Sequence, residues 1–399
     1  MGNSIKEIKR KFQAGNNMDK YGIIILHNII SPYKTLLFNA LNQDLSGNFK
    51  VIYFAETEGN REWRVDKDKL QFAFDVIFKG KIDDISPTKM AIAIYRRLNI
   101  YDPKVVIIGG YDHLACWAAL FWAKMYKRKA IVMVESHYLD KPRSKIKEGI
   151  KRLFLSNCEA ALVAGIRHMD YMIKLGMELE NVFIMMGVGG VDRGLYEMGV
   201  SKFRMDKLRN CIRVGAAPNN FLFVGRFSPE KNIMFLLKVY KRLKEKGTKE
   251  WGLILVGDGP QRKEIESFII RNKLEGVLLP GFKQKEELPL FYAISNVFIL
   301  PSVSESWGIV VDEAMNSGLP VLVSNRCGCY PDIVQDGING FSFDPFNEDS
   351  LYKLMDNIIQ GEYNLEMMGQ ASIKIIKNYT PEKMAEIFVK SINFVINKK

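Results

Sequence analysis

The chain has 399 residues, 47% of them hydrophobic, and a formal net charge of +12. That length suits about two domains, and no apolar run approaches the ~18 residues of a membrane-spanning helix. Five cysteines without a CxxC pair suit a reducing cytosol, and the start MGNSIKEIKRKF has no apolar core of a secretory signal.

Counting Lys and Arg against Asp and Glu, residues 1–200 carry +8 and residues 201–399 carry +4. No aromatic interleaving or recognised motif accompanies the lysines, so a nucleic-acid partner is not expected. An anionic membrane face, a phosphate-rich small ligand and plain solvated lysines all remain open. The chain is expected to be cytoplasmic, or peripheral on the inner face of a membrane; the run LACWAALFWA (Leu114–Ala123) reads first as a buried helix, with membrane contact through Trp117 and Trp122 as the alternative.

In chain order, short Val- and Ile-rich runs alternate with helical patterns, as in a parallel α/β protein whose strands are covered on both faces. Strands are expected at 22–26, 50–54, 105–109, 130–134, 160–164 and 181–185, and then at 221–225, 252–257, 277–281, 296–300, 320–324 and 340–343. Between them, Asn232–Lys246 sets Ile233, Leu236, Leu237, Tyr240 and Leu243 on one helical face and stops at Gly247. This is one doubly wound architecture used twice. The boundary lies in the strand-poor stretch 190–218, giving domains 1–196 and 197–377, and a last amphipathic helix follows Pro381.

Ligands of doubly wound sheets bind beyond the carboxyl ends of the strands. That rule selects GRFSPEKN, GDGP, the GF pair Gly281-Phe282, and SVSESWG. Arg226 and Lys231 after Gly225 are a guanidinium and an ammonium suited to two phosphoryl groups. A helix opening near Trp307 and closing before Gly318 turns the free N–H groups of Gly308, Ile309 and Val310 towards the same crevice, an anion site. Glu305 sits just before that helix and Glu313 inside it, two carboxylates able to accept hydrogen bonds from sugar hydroxyls.

GRFSPEK, LVGDGP, LPGF, SESWGIVVDEAMNSGLPVLVS and DGINGFSFDP occur in this order across 220–345. With these elements the chain resembles the nucleotide-binding half of the retaining glycosyltransferases of family 4. The resemblance implies a GT-B fold, α/β, with two Rossmann-like domains facing a cleft and the C-terminal helix, 378–399, crossing back to the first. It implies a donor site of Gly225, Arg226 and Lys231 on the diphosphate and Glu313 on the ribose. Ser306 and the helix start lie beside that diphosphate, and Gly281 and Phe282 flank the base. It implies Glu305 on the donor sugar, with no metal and no cofactor beyond the nucleoside diphosphate sugar.

The first half is similar to that family at ISPYKTLLFNAL, REW, GGYD and GVGGVD, but HNIISPYK replaces the usual Gly-Gly loop. His137 after the strand 130–134 is the expected catalytic histidine and His27 its competitor. His113 and His168 are expected to be structural. Acceptor contacts are expected from Ser31, Tyr33 and Arg64. Asp66-Lys67-Asp68 matches the metal motif of another glycosyltransferase fold but alternates with cations like a solvated face. GDGPQR has Arg262 where a dinucleotide fingerprint needs glycine.

The activity expected is transfer of a sugar from a nucleoside diphosphate to a glycan or lipid-linked acceptor, in polysaccharide or glycolipid synthesis. A nucleotide-sugar epimerase, a phosphorylase and a non-catalytic nucleotide-sugar binding subunit are the alternatives.

Overall fold

The computed structural model describes residues 21–59 and 66–398. The expected Val- and Ile-rich runs form two sheets in which every strand pairing is parallel. The first sheet contains β1 (Ile23–His27), β2 (Phe49–Thr57), β3 (Ala73–Lys81), β4 (Val105–Ile108), β5 (Lys129–Val134), β6 (Ala160–Val163) and β7 (Val182–Ile184). Its order is β3-β2-β1-β4-β5-β6-β7. The second contains β8 (Asn219–Val224), β9 (Trp251–Val256), β10 (Val277–Gly281), β11 (Val297–Leu300), β12 (Val321–Ser324) and β13 (Gly340–Phe343), ordered β10-β9-β8-β11-β12-β13. These are two Rossmann-like α/β units.

The central strands are sealed on both faces: Ile23, Ile24, Ile25 and Leu26 of β1 and Leu253, Ile254 and Leu255 of β9 have no exposed surface. Continuous apolar runs are what such positions require. The helix Ile233–Glu245 buries the five expected residues Ile233, Leu236, Leu237, Tyr240 and Leu243. One strand escaped the sequence reading. β3 lies at the sheet edge, only partly buried over most of its length, and carries Asp75 and Lys79 within AFDVIFKGK. Its apolar run is therefore broken where an edge strand can tolerate charge.

The described residues up to Tyr138, with Pro142–Gly190 and the tail from Tyr379, form one compact unit; Leu139–Lys141 and Val191–Asn378 form the other. Apart from Leu139–Lys141, the second unit thus begins at Val191 and not at residue 197. The cause is the helix Arg193–Arg204, whose Tyr196 packs edge-on against Tyr292 at 5.6 Å between ring centres. The C-terminal helix Pro381–Asn397 belongs to the first unit. It buries Met384, Phe388, Ile392 and Val395 in one core with Leu37, Phe38 and Leu41 of the helix Pro32–Leu45. At roughly 1.5–3 kcal/mol for each large apolar side chain, this helix is a structural part of that unit.

Candidate functional site

In each sheet the strand order reverses beside the unit's first strand, between β1 and β4 and between β8 and β11. In doubly wound sheets ligands bind at the strand ends beside such a reversal. In the second unit the loops leaving these strands are 225–232 after β8 and 301–308 after β11. The main-chain N–H of Val303 donates to Glu230 O at 2.9 Å and ties them together. A third loop comes close behind: a Cβ on Gly257 would fall 1.9 Å from Gly225 O, and the glycine holds φ at +143°. Only glycine fits there.

Lys231 ends a short 3-10 turn, Pro229–Lys231, and its ammonium forms an ion pair with Glu305 Oε2 across the two loops. The two side chains are 17% and 15% exposed. Burial works against the ammonium, but the Glu305 charge and hydrogen bond outweigh it and hold the Lys231 pKa above its usual value. Arg226 lies exposed on the first of these loops, and among the described residues its guanidinium has no hydrogen-bond or ion-pair partner. Glu305 is held from the main chain as well, through Gly328 N–H donating to Glu305 O at 3.0 Å.

The helix that follows spans Ile309–Asn316, and Gly308 caps it in the left-handed region at φ +103°. A side chain at that φ would be strained, so glycine fixes where the helix begins. Trp307 stands just before that cap, so the helix opens near it as expected. It is 1% exposed, and its indole N–H is shared between the two Asp312 carboxylate oxygens at 3.1 and 3.2 Å. Asp312 is itself 2% exposed, and burial pushes its carboxyl well above the usual carboxylate range. Glu313 is fully buried and accepts a hydrogen bond from the Tyr292 hydroxyl at 2.8 Å. Ser306, Ile309 and Val310 are partly buried at the same helix end. Gly281 closes β10 and accepts the Gly257 N–H at 3.0 Å, with Phe282 exposed beside it.

The first unit presents a cluster that the sequence reading missed. Lys34 is 4% exposed and pairs with Glu135 at 2.6 Å, joining the helix after β1 to the loop after β5. The signal was Lys34 in PYKTLLFNAL, three and four residues before the buried Leu37 and Phe38 and therefore on the inward face. His27 stands at the end of β1 with Nδ1 3.0 Å from Ile29 O. Burial and the Lys34 charge lower its pKa to about 4. His137 has no exposed surface and packs edge-on against His168 at 5.3 Å, so its ring reaches no solvent in this state. Ser31 stands at the N-cap position of the helix Pro32–Leu45 without a side-chain capping bond, and Tyr33 O accepts the Gly190 N–H at 3.0 Å. Arg64 lies outside the described residues.

Two sequence features resolve differently from a ligand role. Asp66 caps a small exposed turn by accepting the Asp68 N–H, and Lys67 pairs with Glu56. In the helix Leu114–Met125, Trp122 is 1% exposed and Trp117 stacks edge-on against Phe154 at 4.9 Å. Both indoles serve packing, as the reading of this run as a buried helix expects.

Residues 206–375 match the family model Glycosyl transferases group 1. Sulfoquinovosyl transferase SQD2 of Arabidopsis thaliana is 31% identical over 45% of this chain and 34% of its own. Alpha-monoglucosyldiacylglycerol synthase of Acholeplasma laidlawii is 26% identical over 61% of this chain and 58% of its own. The alignments thus span about a third to three-fifths of these relatives. Among solved structures, Anabaena HepE in complex with UDP and glucose superposes with a TM-score of 0.71 at 18% identity, covering 93% of this chain and 99% of its own. A glycosyltransferase from Rickettsia africae gives 0.72 at 13% identity, over 96% of this chain and all of its own. At these identities the structural likeness is one of fold, that of two parallel-sheet Rossmann-like units.

Proposed function

We propose that the protein is a retaining, metal-independent glycosyltransferase that moves a sugar from a nucleoside diphosphate to a hydroxyl of a glycan or lipid-linked acceptor. The observation that carries this reading is the Lys231–Glu305 ion pair at the switch point of the second unit, beside Arg226 and the start of the helix Ile309–Asn316. In this reading the donor diphosphate lies against the helix N-terminus, and Arg226 and Lys231 supply its counter-charge. Negative charge grows on that diphosphate as the bond to the sugar breaks, and fixed cations and N–H dipoles stabilise it most at that moment. Metal independence rests on the same groups, which supply the positive charge a divalent ion would bring.

Glu305 is positioned by Lys231 to accept hydrogen bonds from the donor sugar, and Glu313, fully buried and oriented by Tyr292, would have to become accessible to accept from the ribose. Gly281 and Phe282 flank the base. No carboxylate is assigned as nucleophile, so the incoming hydroxyl attacks on the face the diphosphate leaves and passes its proton to the departing oxygen. Ser31, Tyr33, Arg64 and His137 are the acceptor-side residues. His137 would have to become accessible, whereas His27 already has some exposed surface. The likeness to a monoglucosyldiacylglycerol synthase favours a lipid acceptor.

The test is turnover of a panel of nucleoside diphosphate sugars in chelator, with the anomeric configuration of the product read by NMR. Retention of configuration and at least a ~100-fold lower rate in Lys231→Ala and Glu305→Ala support the reading. Wild-type rates in both variants, an inverted product, or a strict divalent-ion requirement would overturn it.

A further inference from the structure

The helix Lys145–Leu155 (KIKEGIKRLFL) in the first unit anchors its last turn in the core through Phe154 and Leu155, while its earlier turns leave their aliphatic side chains outside. Its only carboxylate, Glu148, turns inward with a side chain 16% exposed, paired to Lys151 at 2.8 Å and accepting from the Tyr171 hydroxyl at 2.8 Å. Arg143 closes the network from the loop before the helix, donating to Tyr171 Oη at 2.9 Å. Burial opposes the Glu148 charge, but these donors hold its carboxyl below the usual range. The polar inner face is therefore satisfied within the protein.

The outward face is apolar. Ile146, Ile150 and Leu153, spaced four and three residues apart and so on one stripe, are 77%, 51% and 60% exposed. Lys145, Lys147 and Arg152 are exposed on its flanks, and no acid of this helix faces out. The neighbouring helix Leu114–Met125 touches this one through Trp117 and Phe154 and exposes Leu114 and Phe121, 47% and 59%. Three adjacent branched aliphatics in water, flanked on their own helix by exposed cations, fit a helix lying in the plane of an anionic bilayer.

We propose that this face docks the protein onto an anionic lipid surface, with Ile146, Ile150 and Leu153 entering the headgroup–acyl boundary and Lys145, Lys147 and Arg152 meeting lipid phosphates. The inference stands apart from the donor site of the second unit.

The experiment is cosedimentation of the full chain with vesicles of phosphatidylcholine alone or mixed with phosphatidylglycerol, at low and high salt. Binding is expected only to the mixed vesicles and weakens with salt. Lys147→Ala should lower partitioning about fivefold. The triple substitution Ile146→Ser, Ile150→Ser, Leu153→Ser should lower it at least about a hundredfold. Ile270→Ser, at a position 75% exposed in the second unit, should leave it unchanged. All these positions are solvent-facing, so thermal unfolding and any nucleotide-induced thermal shift should match wild type. No vesicle binding by the wild-type chain overturns the proposal. So does equal binding by the triple variant, or concentration-dependent self-association abolished by the triple substitution.

Discussion

Removing one member of the Lys231–Glu305 pair should cost far more than removing both. The two side chains are 17% and 15% exposed, so either charge left alone is largely desolvated with nothing opposite it. Breaking a buried pair from one side costs about 3–5 kcal/mol, and the residual solvent access here reduces the expectation to about 2–3 kcal/mol. Lys231→Met and Glu305→Gln should each show that loss. The double variant should return to within about 1 kcal/mol of wild type, a coupling of about 2 kcal/mol or more. Urea unfolding read by tryptophan fluorescence reports on this, because Trp251 and Trp307 both lie in the second unit. Single variants of wild-type stability, or strictly additive losses in the double, would refute the claim that the two loops are joined by a buried charge pair. Activity should separate from stability, since the double variant regains its fold and stays without turnover.

Asp312 and His27 give opposite pH signatures. Burial raises the Asp312 pKa, so the native state holds a proton the unfolded chain releases, and wild-type stability falls as pH rises from about 4 towards that raised value. Asp312→Asn removes this slope, and its stability relative to wild type should increase with pH across that window; parallel pH profiles would contradict it. The His27 pKa is lowered to about 4, so the unfolded chain takes up a proton first and stability is lost as pH falls from about 6.5 towards 4. His27→Gln should flatten that decline, which amounts to about 2–3 kcal/mol in wild type. Gly257→Ala should destabilise by about 3 kcal/mol or more through collision with the Gly225 carbonyl oxygen. Gly247→Ala, at φ +96° with open space, should cost only about 1 kcal/mol in the same thermal assay.

The sheets were legible because strands sealed on both faces must be continuous apolar runs, and the helix Ile233–Glu245 because its stripe follows the helical period. Where burial is partial the pattern thins, as along β3, and the run no longer announces a strand. The loops of the candidate site could be selected from sequence, since a strand end is a local feature. Their partnerships could not: Lys231 meets Glu305 and Lys34 meets Glu135 only because the strand order brings distant loops together. The depth of Glu313 and His137 was hidden for the same reason, as burial is set by what the rest of the chain packs around a residue.

Calorimetric titration of nucleoside diphosphates into the wild-type protein and into Arg226→Ala and Lys231→Ala tests most directly whether a diphosphate settles at the second unit's switch point. The account predicts binding to wild type, with a stabilisation of about 2.7 kcal/mol at a hundred times Kd, and at least about tenfold weaker binding in each variant. Equal affinity in all three proteins, or no nucleoside diphosphate bound by any of them, would contradict it.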